Sequence, residues 1–300
     1  MNKPHKNVKT NLSPIIMKFS SSIVEVIQRR TSWRDYIPQP LEDDIKDVII
    51  QLLQAEKKSP MGGELRFELI EMPELDPNEK KQLGTYGFIK GAQYFIVAAI
   101  HKSKYDLENL GYLMEEIILF ATDLGLGTCW LGGTFNRSAF AVQINVNTNE
   151  TVPAITPIGY PTQNRSFRDS TIRRIAKSKK RFQWDTLFFE NNFNQPLTQE
   201  AAKEYAMPLE MVRISPSASN RQPWRVLKEI EHHNYHFYIH RGGKKRSSLF
   251  PDFPRIDLGI SICHFDLTIQ ELNLKGRWEF THPDIDSPDH LEYVASWIAE

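Results

Sequence analysis

Apolar positions along the chain switch between helical and strand spacing, and the switches mark out its elements. Ile23, Val26 and Ile27 recur at helical spacing over 22–30 and lead into a basic segment, Arg29-Arg30-Thr31-Ser32-Trp33-Arg34. Pro38 and Pro40 then break the chain. Leu41-Glu42-Asp43-Asp44 opens a second helix, its early carboxylates suited to the positive end of the helix dipole. Ile45, Val48, Ile49, Leu52 and Leu53 trace the buried face of that helix. Residues 66–72 alternate like a strand, and Tyr94 to Ile100 form an unbroken β-branched and aromatic run. Such a run predicts a central strand covered on both faces. A long helix is predicted over 106–124, with Leu107, Leu110, Leu113, Met114, Ile117, Phe120 and Ala121 on one stripe and Gly125 as its stop. Another strand is expected over 151–158, closed by Gly159-Tyr160-Pro161. Residues 165–181 are strongly basic and poor in apolar side chains, which predicts a loop or an exposed arm. The pattern is α+β, expected as a central mixed β-sheet flanked by long helices.

A faint duplication runs through the chain. Gln39-Pro40-Leu41 recurs as Gln195-Pro196-Leu197 and Ser59-Pro60 as Ser215-Pro216, both at an offset of 156. Further along, Leu110-Gly111 matches Leu258-Gly259, Leu124 matches Leu272, Leu126 matches Leu274 and Trp130 matches Trp278, all at 148. The copies differ in what they have lost. Arg30, Ser32 and Arg34 align with Thr186, Phe188 and Glu190, so the second copy lacks both cations and the hydroxyl. Asn220 and Gln222 align with Glu64 and Arg66, so the first copy lacks the amides. Complementary losses of this kind predict two symmetric sites reduced to one composite site. The organisation expected is an N-terminal extension over 1–18, a first half over 19–185 and a shorter second half over 186–300, intertwined as one internal pseudo-dimer.

Composition narrows the function classes. The 300 residues are 40% hydrophobic and 25% charged with a formal net charge of zero, so no bulk field draws the chain to nucleic acid or an anionic membrane. The polar, lysine-rich stretch from Met1 to Met17 lacks the apolar core of a secretory signal, and Tyr94 to Ile100 is too short to span a bilayer. A cytoplasmic protein is expected, with Cys129 and Cys263 as buried, reduced thiols. His232, His233, His236 and His240 lack a carboxylate or cysteine at ligand spacing and read as an exposed strand face, so no metal is expected. The stretch 241–248, Arg-Gly-Gly-Lys-Lys-Arg-Ser-Ser, reads as a solvated turn.

Three segments remain for chemistry. Arg30, Ser32 and Arg34 place two guanidiniums and a hydroxyl near a helix end, a combination that can grip phosphate but that also occurs on solvated surfaces. Residues Ser215 to Trp224 combine a turn, several hydroxyls and two amides ahead of a strand, suited to the polar edge of a heteroaromatic ring. Gly125-Leu126-Gly127-Thr128-Cys129-Trp130-Leu131-Gly132-Gly133 allows backbone to approach a flat ligand, or simply caps the preceding helix. It does not follow a strand in the Gly-x-Gly-x-x-Gly pattern of a Rossmann site.

With Ile158-Gly159-Tyr160-Pro161, residues 30–36 (Arg-Thr-Ser-Trp-Arg-Asp-Tyr) and Lys179-Lys180-Arg181, these segments resemble the nitroreductase superfamily, in particular its branch with two fused half-repeats. The resemblance runs from about residue 20 to 280 and rests on the order of the motifs. It implies an FMN-dependent oxidoreductase with NAD(P)H as donor and a small electron-poor acceptor, nitro or quinone in type. Arg30, Ser32, Lys179 and Arg181 would hold the phosphate and ribityl chain, and Arg34 would lie toward the N1/O2 edge. Ser217, Asn220 and Gln222 would edge the ring from the other half, and Gly132 and Gly133 would present backbone N–H groups near N5. No catalytic side chain is required, because the flavin carries the chemistry. One flavin per chain and a self-sufficient monomer are expected, with a non-catalytic flavin carrier or sensor as the alternative.

Overall fold

The computed structural model describes residues 18–72, 75–178, 180–230, 234–242 and 250–300. The first part of the chain forms α1 (Ile23–Arg29), α2 (Asp43–Gln54), β1 (Leu65–Glu71), α3 (Pro77–Gln82), β2 (Tyr94–His101), α4 (Asp106–Asp123) and β3 (Gly127–Thr128). It continues with α5 (Arg137–Gln143), β4 (Glu150–Thr151), β5 (Ile155–Gly159) and α6 (Phe167–Ile175). The second part forms α7 (Trp184–Leu187), β6 (Phe188–Glu190), β7 (Asn192–Pro196), α8 (Gln199–Ala202) and α9 (Ala206–Ile214). It ends with β8 (Trp224–Lys228), β9 (Tyr235–His240), α10 (Phe253–Glu271), β10 (Gly276–Glu279) and β11 (Leu291–Ala299).

The strands build two sheets, not the single central sheet expected. One runs β1-β2-β5-β3 with β4 also on β2; the other runs β10-β11-β9-β8-β6-β7. Pairing in the first sheet is antiparallel throughout, and β6 with β8 introduces the parallel pair of the second. The physical reason is local closure: each part of the chain carries its own antiparallel strands around one long helix, so each completes its own ladder. The order β1-β2-β5-β3 around α4 is matched by β8-β9-β11-β10 around α10, again antiparallel at every step. As predicted, β2 is covered on both faces and is buried from Tyr94 to Ile100.

The two long helices cross at Gly111 and Gly259. A Cβ on Gly111 would fall onto the carbonyl oxygen of Ile256, and one on Gly259 onto that of Glu108. Each glycine thus faces the carbonyl three residues before the other, so the close backbone contact is reciprocal.

Two further segments differ from the sequence reading. Residues 151–158 divide into β4 and β5, because Pro153 interrupts the ladder. The basic stretch 165–181 contains helix α6, which the Ser166 hydroxyl caps by accepting from Asp169 N–H at 3.1 Å. Its pattern was hard to read because its inner face is held by ionic contacts, with few apolar side chains. His236 is buried, not exposed, with Nδ1 2.7 Å from Ser296 Oγ. His232, His233 and most of 241–248 lie outside the described residues. Cys129 and Cys263 are buried free thiols. Among the described residues, no helix is long and apolar enough to cross a membrane, and no cluster of three potential metal ligands occurs.

Candidate functional site

The basic segment after α1 leaves the helix in extended form and lies beside β3. Ser32 bridges Thr128 in parallel, and Trp33 N–H donates to Thr128 O at 2.8 Å. This geometry turns Arg30 inward, its side chain 8% exposed and Nε 3.5 Å from Glu115 Oε1. Arg34 donates to Asp169 Oδ1 at 2.8 Å, and the other Asp169 oxygen accepts from Arg165 at 2.6 Å. Helix α6 thereby supplies one buried carboxylate that fixes two guanidiniums. Arg165 also stacks on Trp33, 3.9 Å from the ring centroid. Burial pushes the Cys129 thiol up, against the opposing effects of Arg34 and then the Ser32 hydroxyl.

Two more guanidiniums join this group, and their partners are neutral. Arg173 donates to Thr31 Oγ1 at 3.0 Å and to Ser32 O at 3.4 Å. Arg181 donates to Ser178 O at 2.9 Å, Ile214 O at 3.0 Å and Asn220 Oδ1 at 3.1 Å. Its Nε is buried with no partner, as is Ser178 Oγ beside it. Neither arginine has a carboxylate partner among the described residues. Burial, then repulsion from Arg30, Arg213 and Arg173, pushes the Arg181 guanidinium down to about 10. Burial and then Arg165 likewise lower Arg173, with Asp169 opposing. Half-buried cations that repel one another, with no carboxylate in ion-pair contact among the described residues, form a site for an anion with several acceptor oxygens. That chemistry fits the phosphate end of FMN. Lys179, expected to take part, lies outside the described residues.

The loop after α9 meets this arm from the other side. Asn220 Nδ2 donates to the carbonyls of Lys177 and Lys180, both at 2.8 Å. Gln222 Oε1 accepts from Phe182 N–H at 2.8 Å, and its Nε2 donates to Asn220 O at 3.2 Å. Ser217 Oγ accepts from Gln222 N–H at 2.9 Å. The sequence reading aimed these side chains at a ring edge; here their polar atoms bind the loop and the arm. Ser219, Asn220 and Gln222 hold φ of 53°, 55° and 50°, a concentration of left-handed backbone that surrounding contacts must sustain. Gly132 and Gly133 are brought beside α10, where the rings of Phe253 and Phe250 respectively occupy the space a Cβ would enter or touch.

Arg30, Ser32, Arg34, Arg181, Ser217, Asn220 and Gln222 therefore belong to one neighbourhood, with Arg181 to Asn220 among the direct contacts between its two sides. Sequence reading missed Asp169, Arg173 and Asp257. Ser166-x-x-Asp169 is a capping spacing that could have revealed the first. Asp257 is the 148-offset equivalent of Asn109, and that register is the signal that points to it.

Asp257 is fully buried beneath the loop. Its Oδ1 accepts from Ala218 N–H at 2.8 Å, and its Oδ2 has no partner. Burial drives its carboxyl up to about 8, against the Ala218 N–H and Arg221. A raised carboxyl pKa in the folded state means that the unfolded chain releases its proton first. Stability attributable to this group is therefore intact below about pH 4 and declines as pH rises toward 8. Asp257→Asn is expected to unfold about 1–3 kcal/mol less readily than the parent at pH 8, with the difference vanishing near pH 4. Urea denaturation at the two pH values measures this, and equal differences at both would refute it.

A family model described as "Putative TM nitroreductase" matches residues 22–269. The crystal structure of a putative nitroreductase from Thermotoga maritima MSB8 aligns over 99% of this chain and 99% of its own, at 20% identity and a TM-score of 0.57. An FMN-dependent nitroreductase from Clostridium difficile R20291 aligns over 49% of this chain and 92% of its own, at 21% identity and a TM-score of 0.39. A nitroreductase with bound FMN from Desulfitobacterium hafniense DCB-2 aligns over 48% and 92%, at 18% identity and a TM-score of 0.40. No curated protein matches the chain.

Proposed function

Since the chain belongs to the nitroreductase family of that model, we propose that it is an FMN-dependent oxidoreductase using one composite site per chain. The observation that carries this reading is the guanidinium cluster of Arg30, whose side chain is buried, and of the half-buried Arg173 and Arg181, the latter two without a carboxylate partner among the described residues, closed by the Ser215–Gln222 loop. When bound, FMN supplies hydride transfer from NAD(P)H to a small electron-poor acceptor of nitro or quinone type, in ping-pong order.

The chain's own contribution is binding and electrostatics. Arg30, Arg173 and Arg181 bind the phosphate, with Arg181 Nε as a donor left free for it. Ser32 and Lys179 hold the ribityl and phosphate region. Arg34, locked by Asp169, is a fixed cation that stabilises negative charge at the N1/O2 edge without proton transfer. Ser217, Asn220 and Gln222 edge the ring, the two amides exchanging internal bonds for ligand bonds. Gly132 and Gly133 offer backbone N–H groups near N5. The matched strand order around α4 and α10 supports the pseudo-dimer organisation, and with it a monomer as the working unit.

One observation favours the alternative of a flavin carrier or sensor: Phe253 and Phe250 pack on Gly132 and Gly133 and would restrict access to that side of the ligand. The visible spectrum decides between the readings. One flavin per chain, bleached by NAD(P)H and recovered with a nitroaromatic or quinone, is the expected result. Bound flavin that NAD(P)H leaves unbleached supports the carrier. Absence of flavin after reconstitution refutes both.

A further inference from the structure

Glu115 on α4 and His264 on α10 are both 0% exposed, and the active-site reading above uses neither. Glu115 Oε1 lies 3.0 Å from His264 Nε2 and 3.5 Å from Arg30 Nε, while Oε2 accepts from Trp130 Nε1 at 2.6 Å. On the far side of the imidazole, Nδ1 lies 2.9 Å from Ser215 Oγ and 3.1 Å from Met211 O. The Ser215 hydroxyl itself donates to Met211 O at 3.0 Å. A continuous buried chain of polar contacts therefore runs from Arg30, which follows α1, through both long helices to Ser215, where the loop of the other half begins.

We infer that Glu115 and His264 are positioning residues that set Arg30 in register with the Ser215–Gln222 loop, so that the two sides of the composite site meet one flavin, Arg30 at its phosphate and the loop at its ring edge. The argument is one of cost and geometry. A carboxylate removed from water is retained only when its oxygens are bonded, and here the three side chains around it, Arg30, Trp130 and His264, come from three separate segments. Buried polar groups of this kind fix relative placement better than apolar packing, which tolerates sliding. Arg30 lies at the end of a seven-residue helix, and Glu115 is its one carboxylate partner among the described residues. Without Glu115 its guanidinium samples several rotamers, and binding must bear the entropy of ordering it. His264 acts at one remove, by holding Glu115 and Ser215 together.

The inference rests on the reading of Arg30 as a phosphate ligand, and a double-mutant cycle separates the two. FMN and riboflavin dissociation constants are measured by flavin fluorescence for the parent, Arg30→Ala, Glu115→Gln and the combined variant. Glu115→Gln is expected to weaken FMN about tenfold and riboflavin, which lacks the phosphate, less than about twofold. In the Arg30→Ala background the same change is expected to have no further effect on FMN. A purely structural lesion would weaken both flavins alike and persist in that background, which overturns the inference. Arg30→Ala leaving the FMN-to-riboflavin ratio unchanged would instead overturn the reading beneath it. Trp130→Phe provides a milder route should Glu115→Gln fold poorly. It frees Oε2 while keeping the charge, and should shift the ratio in the same direction; an unchanged ratio counts against the inference.

Discussion

Gly111→Ala and Gly259→Ala are each expected to destabilise the protein by about 3 kcal/mol or more, enough to lower the yield of folded chain. The reason is that the obstruction is backbone. At Gly111 the new methyl meets the Ile256 carbonyl and lies 3.1 Å from Gly259 Cα; at Gly259 it meets the Glu108 carbonyl. A flexible side chain could swing aside, but a helical carbonyl moves only with its helix. Accommodating one methyl therefore separates α4 from α10 along a crossing where Leu110, Met114, Leu258 and Ile262 are fully buried. The separation also stretches the Glu115 to His264 contact further along the same pair of helices. Gly84→Ala is the control, since nothing lies within 4 Å of its Cβ position, and its change is expected within about 0.5 kcal/mol. Chemical denaturation of the three variants measures the contrast. Parent-like stability of both crossing variants would mean that the helices are not in this close contact.

The second large effect concerns the ligand. Replacing Arg30 and Ser32 together with alanine is expected to abolish flavin retention through purification and to weaken FMN more than about 100-fold, while melting remains cooperative. Each charge-assisted bond contributes about 1.5–3 kcal/mol, so losing one guanidinium and one hydroxyl exceeds the roughly 2.7 kcal/mol that a hundredfold requires. Arg173 and Arg181 remain in the variant, so it also tests whether the cluster acts as a unit. Tight, stoichiometric FMN binding by the double variant would remove the site assignment.

Much of the fold was legible along the chain because its signals are local. The apolar stripe over 106–124, the Gly125 stop and the continuous run of β2 each depend on neighbours within a few residues, and each matches an element of the structure. The matched Leu-Gly pairs are visible in the sequence; that their glycines sit at the crossing of two helices is not. Hydropathy alone predicts a loop or an exposed arm where α6 lies, because the helix is held through Asp169 and the guanidiniums it fixes, which no hydropathy pattern records.

The site divides in the same way. Residue types pointed to Arg30, Ser32, Arg34 and the Ser215 to Trp224 loop as candidates, since guanidinium, hydroxyl and amide chemistry is a property of the side chain; Lys179 and Arg181 came only with the family resemblance. Which groups already have partners is a property of the tertiary structure. Only there does Asp169 neutralise Arg34, Arg181 remain without a carboxylate, and Asn220 turn to Arg181. Likewise, only there does Glu115 join Arg30 to His264 across two helices that lie far apart in sequence. Periodicity and residue chemistry act over a few residues and are written in the chain; desolvation and pairing depend on what the folded chain brings within about 4 Å.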